Sequence, residues 1–309
     1  MVPRPHYGFA VWWSVAKRVF KMIDEKRLVL IAAGIAFFGI LALFPAIAAI
    51  IALWGIIGDP QSILPLIQQY DFLFPAEVFS LISTQISALA TADEGQLGWA
   101  SILSILLALW SARAGVTALI QGMNAVYDES NRKGLRQYLA AIGLTLALVF
   151  VALTAIAAIV VTPVIMAFVP LGAFAQLLVE AIRWLVAVGI LLAGAGLVYR
   201  YGPNRRAARL AWITPGAMLA VGLWTIASIG FSIYLANFGT YNEVYGSLGA
   251  VIALLMWLFI SGFLLLIGGA VNSELERHTQ PDSTVGPPRP IGERGAAAAD
   301  TYLDTSGDA

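Results

Sequence analysis

One stretch of the chain carries side chains that could do chemistry together. Arg113, Thr117, Gln121, Asn124 and Asp128 recur at intervals of three and four residues, and at about 100° per helical residue they fall within about 80° of one another. A guanidinium, a hydroxyl and two carboxamides on one helix face suit the wall of a polar cavity. The planar donors of Arg113 also match the oxygens of an anionic headgroup. The competing reading of Arg113 is that its long stem carries the charge to the membrane surface, which requires no ligand. Ser104, Ala108, Ser111, Gly115, Ala118 and Gly122 cluster on the opposite face, where small side chains let neighbouring helices approach closely. Neither face suits lipid, so this helix belongs inside a bundle.

Other chemistries lack the residues they need. The chain has no Cys and only two His, His6 and His278, both near its ends; this disfavours thiolate chemistry and a His-based metal or acid/base centre. No Walker loop, Gly-x-Ser-x-Gly elbow or His-Glu-x-x-His helix occurs in the sequence. No carboxylate lies deep in an apolar segment, which speaks against a proton relay through buried Asp or Glu. The sequence therefore predicts no catalytic residue, no metal ligand, no cofactor and a non-enzymatic role.

The elements that hold the stripe follow from hydropathy. Of the 309 residues, 60% are hydrophobic and 12% charged, against about 45–50% and about 25% in soluble domains. With a mean hydropathy of +0.83, the chain reads as an all-α polytopic membrane protein. Six apolar runs are long enough to cross a bilayer: Leu28–Ile57, Leu97–Val126, Tyr138–Val169, Ile182–Tyr199, Trp212–Ala236 and Ser247–Val271. They are continuous, without the period-2 alternation of a β-barrel. The basic residues give the orientation. Sixteen Lys and Arg lie in the head, the second and fourth connections and the tail, and none in the first, third and fifth connections, so both termini are expected in the cytoplasm.

Three segments flank the spans. In residues 1–27, Trp12, Ala16, Val19, Phe20 and Ile23 recur at helical spacing opposite Lys17, Arg18 and Lys21, which predicts a basic interfacial helix on anionic headgroups of the inner leaflet. The spans occupy residues 28–276, with a periplasmic amphipathic insertion at 58–96, where Val78, Ile82, Ile86 and Leu89 trace one apolar face. Its two short helices are expected either as a lid or as static packing. Residues 277–309 are rich in Pro, Gly, Ala and acids without periodicity, which predicts a disordered cytoplasmic tail. Lys and Arg balance Asp and Glu at eighteen each, so no basic excess points to nucleic acid. The expected partners are membrane lipids, a lipid or anionic small-molecule substrate and, as an open alternative, a second copy.

Several stretches together carry a family resemblance. AAGIAFFGILALFPAI (Ala32–Ile47), LWSARAG continuing to LIQGMNAVYDE (Leu109–Glu129), YGPNRR (Tyr201–Arg206) with TPGAM (Thr214–Met218), ANFGTYNEVYGSLGAVIALLMWLFISG (Ala236–Gly262) and NSELERHT (Asn272–Thr279) resemble the YihY/virulence factor BrkB family over about residues 10 to 280. The resemblance implies a bacterial inner-membrane protein of six helices that acts in transport or envelope-lipid handling, in a family once labelled ribonuclease BN. It implies Gln121, Asn124 and Tyr127 as the family-matched polar positions. Two positions depart from the pattern: Ala270 stands where relatives usually place a Glu, and Arg113 where they place a small polar residue. The expected function is movement of an amphipathic or anionic solute, such as an envelope lipid or precursor, past Arg113, Thr117, Gln121, Asn124 and Tyr127. A non-transporting scaffold for envelope integrity is the alternative, and a ribonuclease a distant third, because metal-dependent cleavage needs clustered acids or His.

Overall fold

The computed structural model describes residues 7–57, 83, 87, 94–168, 172–237 and 247–303. The chain is all-helical across them: α1 (Phe9–Glu25), α2 (Leu28–Ile57), α3 (Glu94–Val126), α4 (Leu135–Phe168), α5 (Ala173–Tyr201), α6 (Leu210–Asn237) and α7 (Ser247–Arg277). The one β feature among the described residues is an isolated antiparallel bridge between Ala208 and Thr284. Among the described residues five helical stretches are long and apolar enough to cross a membrane, Ile105–Val126, Leu135–Ala155, Leu177–Tyr201, Ile213–Leu235 and Val251–Arg277, and Leu28–Ala42 is a shorter apolar stretch. Large apolar side chains such as Phe150 on α4, Leu185 on α5 and Ile226 on α6 face outward, the surface expected where lipid is the solvent. The chain is thus a polytopic helical membrane bundle. Of the amphipathic insertion expected at 58–96, only Ser83, Ser87 and the start of α3 fall within the described residues; Ser87 Oγ donates to the Ser83 carbonyl at 2.9 Å.

The helices distribute over two compact units. One comprises residues 1–32, 119–225 and 263–309, the other residues 33–118 and 226–262. In the second unit small residues admit close neighbours, as the face of α3 requires. A Cβ on Gly115 would lie 3.5 Å from Phe38 of α2, one on Gly39 3.3 Å from Leu258 of α7, and one on Gly262 3.2 Å from Ile35.

In the first unit α6 and α7 touch backbone to backbone. A Cβ on Gly216 would come within 2.1 Å of the Gly268 carbonyl oxygen, and one on Gly268 within 2.5 Å of the Gly216 carbonyl oxygen. The crossing coincides with a fault in the α6 hydrogen-bond ladder, because Pro215 has no N–H to give. Beside that fault, Asn272 of α7 engages the α6 backbone: its Oδ1 accepts from Gly216 N at 2.7 Å and its Nδ2 donates to the Ile213 carbonyl at 3.0 Å. A buried carboxamide satisfies backbone groups that have no water to turn to.

Two sequence expectations are corrected. The apolar face read on α1 is divided, since Val19 is buried while Phe20 is exposed. Residues 278–303 are a folded segment, in place of the disordered tail expected from residue 277. Arg209 N donates to Ser283 O and Val285 N to Ala207 O, both at 2.9 Å, joining the segment to the α5–α6 connection. Buried Arg294 donates to the carbonyls of Arg289, Ala299 and Gln280 at 3.2, 2.8 and 2.5 Å. Composition missed this order because it comes from hydrogen bonds around a few guanidinium and carboxylate groups, which leave no apolar periodicity.

Candidate functional site

The residues of the sequence stripe part company in the structure. In the apolar stretch of α3, Arg113 is half-buried, and Thr117 Oγ1 donates to the Arg113 carbonyl at 2.8 Å, so the hydroxyl is engaged within its own helix. One turn on, Gln121 is exposed. Asn124 and Tyr127 are buried and engaged within the protein. Asn124 Nδ2 donates to Asn131 Oδ1, and Asn124 Oδ1 accepts from Asn204 N, both at 2.7 Å. The amide thereby ties α3 to the connections that follow α3 and α5. Tyr127 lies under the guanidinium of Arg205, whose Cζ is 5.0 Å from the ring centroid. Burial, more than any charge nearby, raises the Tyr127 phenol above its ordinary value, so it stays neutral.

Around Asn124 and Tyr127 the basic ends of the helices gather a charged cluster that sequence reasoning did not assemble. Arg205 Nη1 and Nη2 meet Glu276 Oε2 and Oε1 at 2.5 and 2.6 Å; the two side chains are 1% and 4% exposed. Ser283 Oγ donates to the same carboxylate. Burial acts to lower the Arg205 pKa, but the paired Glu276 outweighs it and raises the value, so the guanidinium stays charged. Two residues away, buried Glu274 lies 2.7 Å from Arg18 Nε of α1 and 3.4 Å from Arg277 Nε. Arg277 Nη2 also donates to Asp128 Oδ2 at 2.7 Å, and Lys26 pairs with Asp128 Oδ1. Burial raises the Asp128 carboxyl, but the hydrogen bond and charge of Lys26, with Arg277, carry it below the ordinary range. Each of these three acids lies beside a cation, so the cluster works as an ion-pair lock joining α1, the α1–α2 corner, the α3–α4 and α5–α6 connections and the end of α7. Among the described residues no three His, Asp or Glu side chains form a metal-ligand group. A sequence signal for the lock existed: Asp128, Glu274 and Glu276 are acids placed on the basic side of the bundle.

The folded tail closes over this lock. Asp300 accepts from four backbone N–H groups, those of Gly292, Arg294, Gly295 and Ala296, at 2.8 to 3.3 Å. Asp282 accepts from Thr284 N, Thr284 Oγ1 and Arg289 N, and Ala297 N donates to Glu129 Oε1 at 2.8 Å. Burial opposes ionisation of both aspartates, yet the N–H donors prevail and hold both below the usual carboxylate value. A folded-state pKa below the unfolded one stabilises the fold fully above the unfolded value, and that contribution disappears as pH falls through the folded one. A spin label on exposed Ile291 should therefore be immobile at neutral pH and become mobile only as pH falls below the ordinary carboxylate range, whereas Asp300→Asn should mobilise it already at neutral pH. An unchanged spectrum on acidification would show that the carboxylates do not hold the tail. Glu129 has the opposite sign: burial raises its carboxyl despite the Ala297 N–H, so its contribution is present in acid and declines as pH rises through its folded pKa.

Comparison with known proteins gives a consistent set of relatives. The family model described as Virulence factor BrkB matches residues 19–291. The chain is 33% identical over 253 residues to the putative ribonuclease-like protein YfkH of Bacillus subtilis strain 168, a match covering 80% of this chain and 89% of that protein. It is 41% identical over 93 residues to a UPF0761 membrane protein of Xanthomonas campestris pv. campestris strain 8004, covering 30% of this chain and 22% of the relative. A UPF0761 membrane protein of Xanthomonas oryzae pv. oryzae strain PXO99A is 42% identical over 79 residues, covering 26% of this chain and 18% of the relative. No solved structure matches.

Proposed function

The chain belongs to the virulence factor BrkB family of membrane proteins, and from that premise we propose that it moves an amphipathic or anionic solute, such as an envelope lipid or its precursor, across or within the bacterial inner membrane. The observation that carries this reading is Arg113, a half-buried guanidinium inside the Ile105–Val126 stretch. Its Cα lies about 20 Å of helix from the basic end of that stretch, at about 1.5 Å per residue. An arginine at such a depth costs about 2.5–3.5 kcal/mol on insertion scales, and a residue kept at that cost is a functional candidate by default. Its ligand would be an anion such as a phosphate headgroup, which a guanidinium grips through two parallel hydrogen bonds. The topology that goes with this function puts both termini and the ion-pair lock in the cytoplasm, on the strength of the Lys and Arg distribution.

The scaffold reading draws on a different observation: Asn124 and Tyr127, the family-matched polar positions, are buried and engaged within the protein. A nuclease reading rests on the printed name of the Bacillus relative, and purified protein should leave RNA intact in the presence of divalent metal. The deciding experiment reconstitutes the Arg113→Lys and Arg113→Leu variants in liposomes with a fluorescent phospholipid. Loss of translocation in both, with membrane yield unchanged, is the expected result. Full translocation by the Leu variant would end the anion-site reading, and no translocation by the parent protein would favour the scaffold.

A further inference from the structure

Helix α1 has two apolar faces, and the protein uses one of them. On a helical wheel Val15, Val19 and Met22 centre about 120° away from Phe9, Trp13, Ala16 and Phe20. The first set is buried, whereas Phe9, Trp13 and Phe20 are 86%, 57% and 74% exposed. Along the shoulder of the exposed set lie Lys17 and Lys21, both exposed, with Lys17 Nζ 5.4 Å from the Trp13 ring centroid. Arg18 is committed elsewhere, its Nε paired with buried Glu274, so the inner side of α1 is fastened, while on the outer side Lys21 makes only a solvent-exposed 3.4 Å pair with Glu25. The corner at Lys26 and Arg27 leads directly into α2, whose Val29 and Leu30 are exposed as well. The apolar surface that a membrane span presents to lipid therefore continues onto α1.

We propose that the outer face of α1 is a binding surface for the anionic bilayer leaflet on the basic side of the protein, with Phe9, Trp13 and Phe20 entering the boundary between headgroups and acyl chains and Lys17 and Lys21 holding lipid phosphates. Charge complementarity selects this occupant, because cations flanking aromatic rings match phosphate above hydrocarbon. Continuity with the lipid-exposed start of α2 selects it again. The inference stands apart from the transport reading, since it requires no solute to cross the membrane.

The chain has no native Cys, so single cysteines at Trp13, Phe20 and Glu25 can carry a fluorophore in the full-length protein. In nanodiscs, labels at positions 13 and 20 should be quenched by brominated acyl chains about twofold or more over the label at position 25, which points away from the proposed lipid face. The double variant Lys17→Gln, Lys21→Gln should fold and melt like its parent, because both side chains are exposed and the Lys21–Glu25 pair it removes lies at the surface. Its enrichment of spin-labelled phosphatidylglycerol over phosphatidylcholine should fall by about fivefold for each lysine. Three results would overturn the proposal: labels at 13 and 20 as open to aqueous iodide as the one at 25, an unchanged lipid preference in the double variant, or efficient disulfide cross-linking of Phe20→Cys between two copies. The last would assign the face to a second copy of the chain.

Discussion

Glu276→Gln is expected to destabilise the folded protein by about 3–5 kcal/mol, the cost typical of removing one partner from a buried ion pair. Glutamine fills nearly the same volume but leaves Arg205 charged in a site where both side chains are almost fully excluded from water. The guanidinium would keep its place over the Tyr127 ring and its Nε bond to the Arg206 carbonyl at 3.2 Å, and lose the charge that compensated its burial. Ser283 would lose an anionic acceptor at the same time. Against a total stability of about 5–15 kcal/mol, a loss of that size should show as a large drop in the unfolding midpoint in detergent. The pair is held to a second condition: Arg205→Met with Glu276→Leu should recover much of the loss, since replacing both charges removes the desolvation penalty along with the attraction. A single variant that melts like the parent would mean that water reaches Arg205.

The second large effect sets two glycines of one helix against each other. Gly216 and Gly222 both lie in α6, and glycine to alanine ordinarily favours a helix by about 1 kcal/mol. At Gly222 nothing lies within 4 Å of an added Cβ, so Gly222→Ala should be neutral or stabilising. At Gly216 the same methyl would meet the Gly268 carbonyl oxygen at 2.1 Å and Asn272 Cγ at 2.5 Å, and both are fixed by the crossing itself. Relief requires α6 and α7 to separate, which pulls Asn272 from the Pro215 fault and leaves the buried backbone groups at Ile213 and Gly216 without their carboxamide. Overpacking alone costs about 1–3 kcal/mol, and the stranded polar groups add about 1–3 kcal/mol each. Opposite signs for the two substitutions in a thermal scan are expected; equal effects would mean that the crossing is loose.

The physics explains why some of this was legible beforehand and some was not. Hydropathy and helical period are local quantities, so the apolar runs, the position of α2 at Leu28–Ile57, and the small face of α3 with Gly115 and Gly122 packed against neighbours could be read from the sequence. Family membership was equally legible, because it is carried by short contiguous motifs. The same local reasoning placed Arg113, Thr117, Gln121 and Asn124 on one stripe, but a shared face does not fix a shared environment. Which side chain stays open and which is consumed depends on what the other helices bring, and those partners are far away in the chain. Arg205 finds Glu276 across 71 residues and Arg277 finds Asp128 across 149. The order of residues 278–303 has the same origin, since it depends on Arg294 and Asp300 being surrounded by backbone groups rather than on any repeating pattern. The sequence by itself determined the helices and the small face of α3, because each follows from residues within a few turns. Tertiary structure alone decided that the charges at the basic end form a lock and that α1 turns a second apolar face outward, because pairing and burial are properties of segments brought together from distant parts of the chain.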